Sequence, residues 1–249
     1  MNLDLRGTTI VFDLDGTLVD TAPDLAAAAN YVFATLGLAP VPPQALHPFI
    51  SHGSRAMIDA RLRRHGRSLP DGELANLHER FLAYYRENVA VFSRPFEGVV
   101  ELLDVLIQAG AKLAVCTNKL EEVSRSLLCQ LGLESRFSAI AGRDTFEVFK
   151  PAPGHLTGTI AMAGGRSDRA VMVGDSEVDF ATAAAAGIPS IGVTFGYTPV
   201  PVRELSPGAV IDHYREFMPV LERVLEGGRP LAATERKKRE RFREGSDPL

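Results

Sequence analysis

At 249 residues, 45% hydrophobic and 23% charged, the chain holds enough apolar material for one full core plus a smaller module, which excludes a disordered or low-complexity protein. No apolar run approaches the roughly 20 residues that cross a bilayer, and Met1–Gly7 lacks the basic start and apolar middle of a signal peptide. The formal net charge of −4 is unevenly spread: after Gly228 there are seven Lys/Arg against four Asp/Glu, which leaves −7 on the preceding body.

These features make a cytoplasmic location the expectation, with no membrane partner. In the tail, residues 229–249, basic residues alternate with glutamates and Phe242 is the one aromatic, a pattern that reads as a solvated extension and not as a nucleic-acid handle. The two cysteines, Cys116 and Cys129, have no short paired spacing and the six histidines show no ligand pattern, so zinc is not expected.

In chain order, the first strand is expected at Ile10–Asp15. It ends in two aspartates, Asp13 and Asp15, just before Gly16. Alternate strand residues share a face, so the two carboxylates are expected on one side with α-carbons about 6.6 Å apart and Leu14 turned into the core. Two ionised carboxylates so placed call for a bound cation or a shared proton.

From Thr21 to Phe92 the pattern is helical, with Pro23 suited to a first turn and Leu74, Leu77, Phe81 and Tyr84 at helical spacing. Beyond it, strands are expected at Lys112–Thr117, Ala170–Asp175, Ser190–Phe195 and, more weakly, Ala209–Asp212. The helices expected between them are Val99–Gln108, Leu120–Leu131, Gly154–Ala163 and Glu177–Ala186. Alternating apolar strands and helices mean an α/β fold: a Rossmann-like parallel sheet core, here with an inserted all-helical cap domain. The expected division is 1–20 and 93–228 for the core, 21–92 for the cap and 229–249 for the charged tail.

Ligands of open α/β sheets bind beyond the carboxyl ends of the strands. Those ends carry Asp13 and Asp15, then Thr117 and Asn118, then Asp175, while Lys150 precedes a helix that its prolines start. One hydroxyl, one ammonium and three carboxylates thus converge on one sheet edge.

The motifs "DLDGT" at 13–17, "CTN" at 116–118, "KPAP" at 150–153 and "GDSEVD" at 174–179 resemble, in this order, those of haloacid-dehalogenase superfamily phosphatases with a helical cap. The resemblance covers nearly all of residues 8–225. Within the superfamily, "ISHGSRAMI", "GRDTF" and "IPSIGVTFGYT" are most like phosphoglycolate phosphatases.

The resemblance implies Asp13 as nucleophile, Asp15 as acid and then base, and Mg²⁺ held by the side chains of Asp13 and Asp175 and the carbonyl of Asp15, with Asp179 behind these ligands. It implies that Thr117, Asn118, Lys150 and the amide of Leu14 bind the phosphoryl oxygens. The charge argument agrees: a dianionic ester repels a carboxylate, so cations must screen the attack.

In the cap, Arg55 and His52 of "SHGSR" are the candidates to read the substrate, Arg55 by pairing with a carboxylate. Retention of Asp15, Thr17 and Gly174 sets the chain apart from dehalogenases, phosphonate hydrolases and hexose phosphomutases as the resemblance describes them. The expected substrate is 2-phosphoglycolate. The alternatives are a sugar phosphate such as N-acetylmuramate 6-phosphate, a nucleotide, pyrophosphate, or a non-catalytic phosphate-binding regulatory role. A monomer and a homodimer are equally compatible with these residues.

Overall fold

The computed structural model describes residues 3–227; the charged tail lies outside the described residues. Six parallel strands form the main sheet: β1 (Thr9–Phe12), β4 (Lys112–Cys116), β5 (Ala139–Ala141), β6 (Ala170–Gly174), β7 (Ser190–Val193) and β8 (Ala209–Ile211). Their order is β5-β4-β1-β6-β7-β8, so β1 is central and the strand order reverses beside it. Every residue of β1 and β6 is buried, as expected where helices cover both faces of a sheet.

The helices that return the chain between these strands are α5 (Val99–Gln108), α6 (Glu121–Gln130), α7 (Pro153–Met162) and α8 (Glu177–Ala186). Each buries an apolar stripe; α5 contributes Val99, Leu102, Leu103 and Leu106. Gly98, with φ of 81°, turns the chain into α5, and Gly187, with φ of 67°, ends α8. A final helix, α9 (Phe217–Glu226), packs Phe217 against Phe12 at 6.1 Å between ring centroids. Full burial of a side chain of this size contributes roughly 1.5–3 kcal/mol.

Between β1 and β4 lie α1 (Ala22–Ala34), α2 (His47–Ile50), α3 (Ser54–Arg64) and α4 (Asp71–Glu87). A short antiparallel pair, β2 (Val19–Asp20) with β3 (Arg94–Pro95), joins the outgoing and returning chain at their base. Asp24, fully buried at the start of α1, accepts hydrogen bonds from the backbone N–H groups of Phe92 and Ser93 and from the Ser93 hydroxyl. The Tyr197 hydroxyl accepts from the N–H groups of Thr21 and Ala22 and donates to Asp20. Both side chains supply partners that the opening turn of α1 and the returning chain would otherwise lack.

Four expected helices and the main strand positions are present, with three differences. β5 and the β2–β3 pair are additional, as is α9. On α4 the fully packed tyrosine is Tyr85, one residue later than expected, while half-buried Tyr84 stacks on Tyr31 at 4.6 Å. β1 ends at Phe12, so Asp13 and Asp15 stand in a turn beyond the strand and not in alternation along it. There the carbonyl of Leu14 accepts from the N–H groups of Leu18 and Val19, and Gly16 takes φ of 84°. Leu14 is nonetheless fully buried, as expected.

Candidate active site

The turn after β1 sends the two aspartates to different partners. Asp13 is buried and its Oδ1 lies 2.7 Å from Lys150 Nζ. Asp15 accepts through both oxygens from Lys119 Nζ, at 2.7 and 3.0 Å, and its Oδ1 also accepts from the Thr21 hydroxyl. Both aspartates line one cavity of about 290 Å³, together with Thr117, Asn118, Lys119, Lys150 and Ser176 from the sheet edge.

Opposite them the same cavity is lined by Ser51–Arg55 and by Met57, His78, Phe81 and Tyr85 of α3 and α4. Space around the turn is tight. A Cβ on Gly16 would stand 2.6 Å from Asp175 Oδ2, and one on Gly196 would stand 2.3 Å from the same oxygen. Only glycine lets these loops close on the aspartates.

Lys150 is 3% exposed and bridges Asp13 to Asp179 Oδ1, the latter at 2.6 Å. Burial alone would drive the Lys150 ammonium toward neutrality, but the carboxylates of Asp13 and Asp179 outweigh it and hold the charge on. Asp179 uses its other oxygen to accept from the Ser176 N–H and hydroxyl, forming a capping box at the start of α8. Its placement therefore fixes both the lysine and the helix.

The loop that carries Lys150 is pinned by His155. The Lys150 N–H donates to His155 Nδ1 at 3.2 Å, and Nε2 donates to the Gly142 carbonyl at 3.0 Å. Burial and the nearby Lys150 charge lower the imidazole to about 4, so it is neutral at physiological pH.

Asp175 is 2% exposed. Its Oδ1 accepts from the Thr17 hydroxyl at 3.3 Å and its Oδ2 from the Tyr197 N–H at 2.7 Å. Burial, with Asp179 and Asp13 nearby, raises Asp175 well above the usual carboxylate range, and burial likewise raises Asp13. Asp13, Asp175 and Asp179 bring carboxylate oxygens within 4.8 Å of one another. Lys150 neutralises only part of this charge, and the remaining excess on hard oxygen donors fits a divalent cation. The Asp15 side chain stands outside that cluster and faces Lys119.

Of the remaining residues expected at the site, Thr117 is buried at the end of β4 and its hydroxyl oxygen accepts from the Lys119 N–H at 3.2 Å. The Asn118 side-chain amide donates to the carbonyls of Lys150, at 3.1 Å, and Ser51, at 3.4 Å, linking the sheet edge to the loop before α3. His52 and Arg55 reach the cavity lining but are exposed, and Arg55 lies 3.2 Å from Asp71 on the surface. Phe195 packs between Phe96 and Tyr214, outside the cavity.

Three side chains at the site have no signal in the sequence that singles them out: Lys119, Tyr85 and His155. Lys119 follows "CTN" at a helix start, where lysine is ordinarily solvated, and here its ammonium is packed between Tyr85 of α4 and Asp15. Cys116, next to Thr117, is buried in the core, where burial pushes its thiol up to about 12 and makes it an inert packing group.

A family model described as haloacid dehalogenase-like hydrolase matches residues 10–193. A phosphoglycolate phosphatase of Agrobacterium fabrum is 47% identical over 223 residues, covering 89% of this chain and 96% of its own. One from Mesorhizobium japonicum is 49% identical over 205 residues, covering 82% and 90%. Among solved structures, a predicted phosphoglycolate phosphatase from Haemophilus somnus superposes with a TM-score of 0.80 at 28% identity, covering 87% of this chain and 98% of the other. With a family match over most of its length and relatives this similar, the chain belongs to the haloacid dehalogenase-like hydrolases and is an enzyme that resembles phosphoglycolate phosphatases.

Proposed function

We propose that this protein is a Mg²⁺-dependent phosphomonoesterase that hydrolyses 2-phosphoglycolate to glycolate and phosphate through an aspartyl-phosphate on Asp13. The observation that carries the reading is the division of labour at one cavity: Asp13 is paired with Lys150 and Asp15 with Lys119, so two neighbouring carboxylates meet two separate cations. The names of the similar proteins support the substrate. The cavity, about 290 Å³, lies at the small end of the range for ligand sites and favours a two-carbon acid over a nucleotide or a substituted sugar phosphate.

In this reading Asp15 is protonated in the complex with the anionic ester; Asp13 attacks phosphorus as the ester oxygen departs, and Asp15 gives its proton to that oxygen. Asp15 then takes a proton from water, whose oxygen attacks the aspartyl-phosphate and frees Asp13 and inorganic phosphate. Lys150, Thr117 and the backbone amides of Leu14 and Asn118 bind the phosphoryl oxygens, where charge is spread as the group transfers. Asp179 holds Lys150 against the nucleophile.

A Mg²⁺ ion would be held by the side chains of Asp13 and Asp175 and the carbonyl of Asp15, with Asp179 behind them. When bound, it screens the repulsion between nucleophile and ester and polarises a phosphoryl oxygen. Residues 21–92 act as a cap that excludes water over the core formed by 1–20 and 93–228, with β2 and β3 as the connecting hinge. His52 and Arg55 sit at its edge toward the substrate.

The test is phosphate release from 2-phosphoglycolate, sugar phosphates, nucleotides and pyrophosphate, with and without Mg²⁺ after chelation, using Asp13→Asn as the blank. The expected result is a dominant kcat/KM for 2-phosphoglycolate that needs metal and vanishes in the variant. A preference for another ester discards the substrate assignment. The absence of metal-dependent turnover from every ester discards the enzyme reading at this site.

A further inference from the structure

Four positively charged side chains line the cavity, and their settings differ. Lys150 is occupied by Asp13 and Asp179. Arg55 is exposed and paired with Asp71, and exposed Arg143 stacks its guanidinium over the Phe149 ring at 3.9 Å. Lys119 alone of the other three is buried, its side chain 7% exposed.

The backbone around Lys119 is held on both sides. Its N–H donates to the Thr117 hydroxyl oxygen, and its carbonyl accepts from the Arg143 N–H at 2.8 Å. Its ammonium lies against both Asp15 oxygens and 4.8 Å from the centre of the Tyr85 ring. Tyr85 comes from α4 and lines the same cavity; among the described residues its buried hydroxyl makes no hydrogen bond of good geometry, and Lys119 is the polar group that bears on it most. Burial pushes that phenol up to about 12, so it stays a donor. An orphaned buried hydroxyl beside a buried ammonium is a costly arrangement unless something else completes it.

We propose that Lys119, with the Tyr85 hydroxyl, reads the carboxylate of the substrate and selects phosphate esters that carry a carboxylate on the carbon bearing the ester oxygen. The inference rests on the proposed function above, in which Asp15 faces the departing ester oxygen. Lys119 Nζ touches Asp15, so a group one carbon from that oxygen is within reach of the ammonium. An anionic group there gains a charge-assisted hydrogen bond from Lys119 and can accept a second from the Tyr85 hydroxyl. A neutral group leaves the hydroxyl unsatisfied, and a carboxylate one methylene farther along overshoots the ammonium. Specificity then comes from the core loop after β4, beside the chemistry, with the exposed Arg55 at the rim.

The experiment compares kcat/KM for 2-phosphoglycolate, 2-hydroxyethyl phosphate and the phosphate ester of 3-hydroxypropionate in the wild type and in Lys119→Met, Lys119→Arg and Tyr85→Phe, after each variant's fold is checked by circular dichroism. Removing Lys119 also leaves Asp15 without its cation, which slows every substrate by a common factor; the ratio between substrates cancels that factor.

The wild type is expected to prefer 2-phosphoglycolate over each of the other two. In Lys119→Met the preference over the hydroxyethyl ester collapses by about 30-fold or more, the scale expected when one partner of a buried charge pair is lost. Lys119→Arg retains most of the preference, and Tyr85→Phe loses several-fold of it. Equal losses on both esters in Lys119→Met, with the preference intact in Tyr85→Phe, would show that Lys119 only positions Asp15 and would overturn the inference while leaving the substrate reading standing. A wild type that does not turn over 2-phosphoglycolate refutes the substrate reading, and this inference with it. If Lys119→Met does not fold, the ratios in Lys119→Arg and Tyr85→Phe decide: no change in Tyr85→Phe overturns the shared carboxylate site.

Discussion

Acid should loosen the lysine loop through His155. The imidazole is fully buried, accepts the Lys150 N–H at Nδ1 and donates to Gly142 at Nε2, so it fits its site only when neutral. Its folded value is lowered from 6.5 to about 4 by burial and the Lys150 charge. Between those two values the unfolded chain binds the proton and the folded chain does not, so stability is fully present above about pH 6.5 and is lost as pH falls toward 4.

The full shift corresponds to about 3 kcal/mol. The assay is urea denaturation at a series of pH values, comparing the wild type with His155→Gln. The variant should be less stable at pH 7, and the gap between the two proteins should shrink by about 3 kcal/mol from pH 6.5 to 4. Parallel stability curves over that window would refute the neutral-histidine clamp. The reasoning would also fail if kcat in the variant were unchanged at pH 7, because the clamp positions the backbone of Lys150.

Gly16→Ala places a methyl 2.6 Å from Asp175 Oδ2 at a φ of 84° that disfavours a side chain, and should cut kcat/KM by about 100-fold or more with the fold retained, read by steady-state kinetics and circular dichroism. Asp24→Ala strips the acceptor from the N–H groups of Phe92 and Ser93 and should cost about 3 kcal/mol in chemical denaturation; a loss under about 0.5 kcal/mol would show that water replaces the carboxylate. Chelation of divalent metal should lower the melting temperature because Asp13, Asp175 and Asp179 then confront one another with Lys150 alone for compensation, and Mg²⁺ at about 100 times its Kd should restore about 2.7 kcal/mol. A melting curve indifferent to both treatments would contradict the metal assignment.

The parallel sheet was legible because β1, β4, β6 and β7 are short apolar runs, the first three of them followed by residues whose chemistry is wrong for a core: Asp13, Thr117 and Asp175. β5 escaped because three residues, Ala-Ile-Ala, carry too little pattern, and the β2–β3 pair because two residues on each side form it only after the helical segment folds back. Asp13 and Asp15 were recognisable as a pair, but their separation to different lysines depends on the turn around Leu14 and Gly16, which alternation cannot describe. Lys119 and His155 were invisible for a different reason. Each is buried by elements distant in sequence, Lys119 by Tyr85 of α4 and His155 by Gly142 beyond β5, so no local spacing marks them.

The central claim is that Asp13 carries the phosphoryl group between substrate and water. The most direct measurement is acid quenching of the enzyme during turnover of radiolabelled 2-phosphoglycolate in Mg²⁺, followed by peptide mapping. The account predicts a hydroxylamine-labile label on the peptide that contains Asp13, absent from Asp13→Asn. Turnover with no covalent label at any quench time, or a label on a different residue, would contradict it.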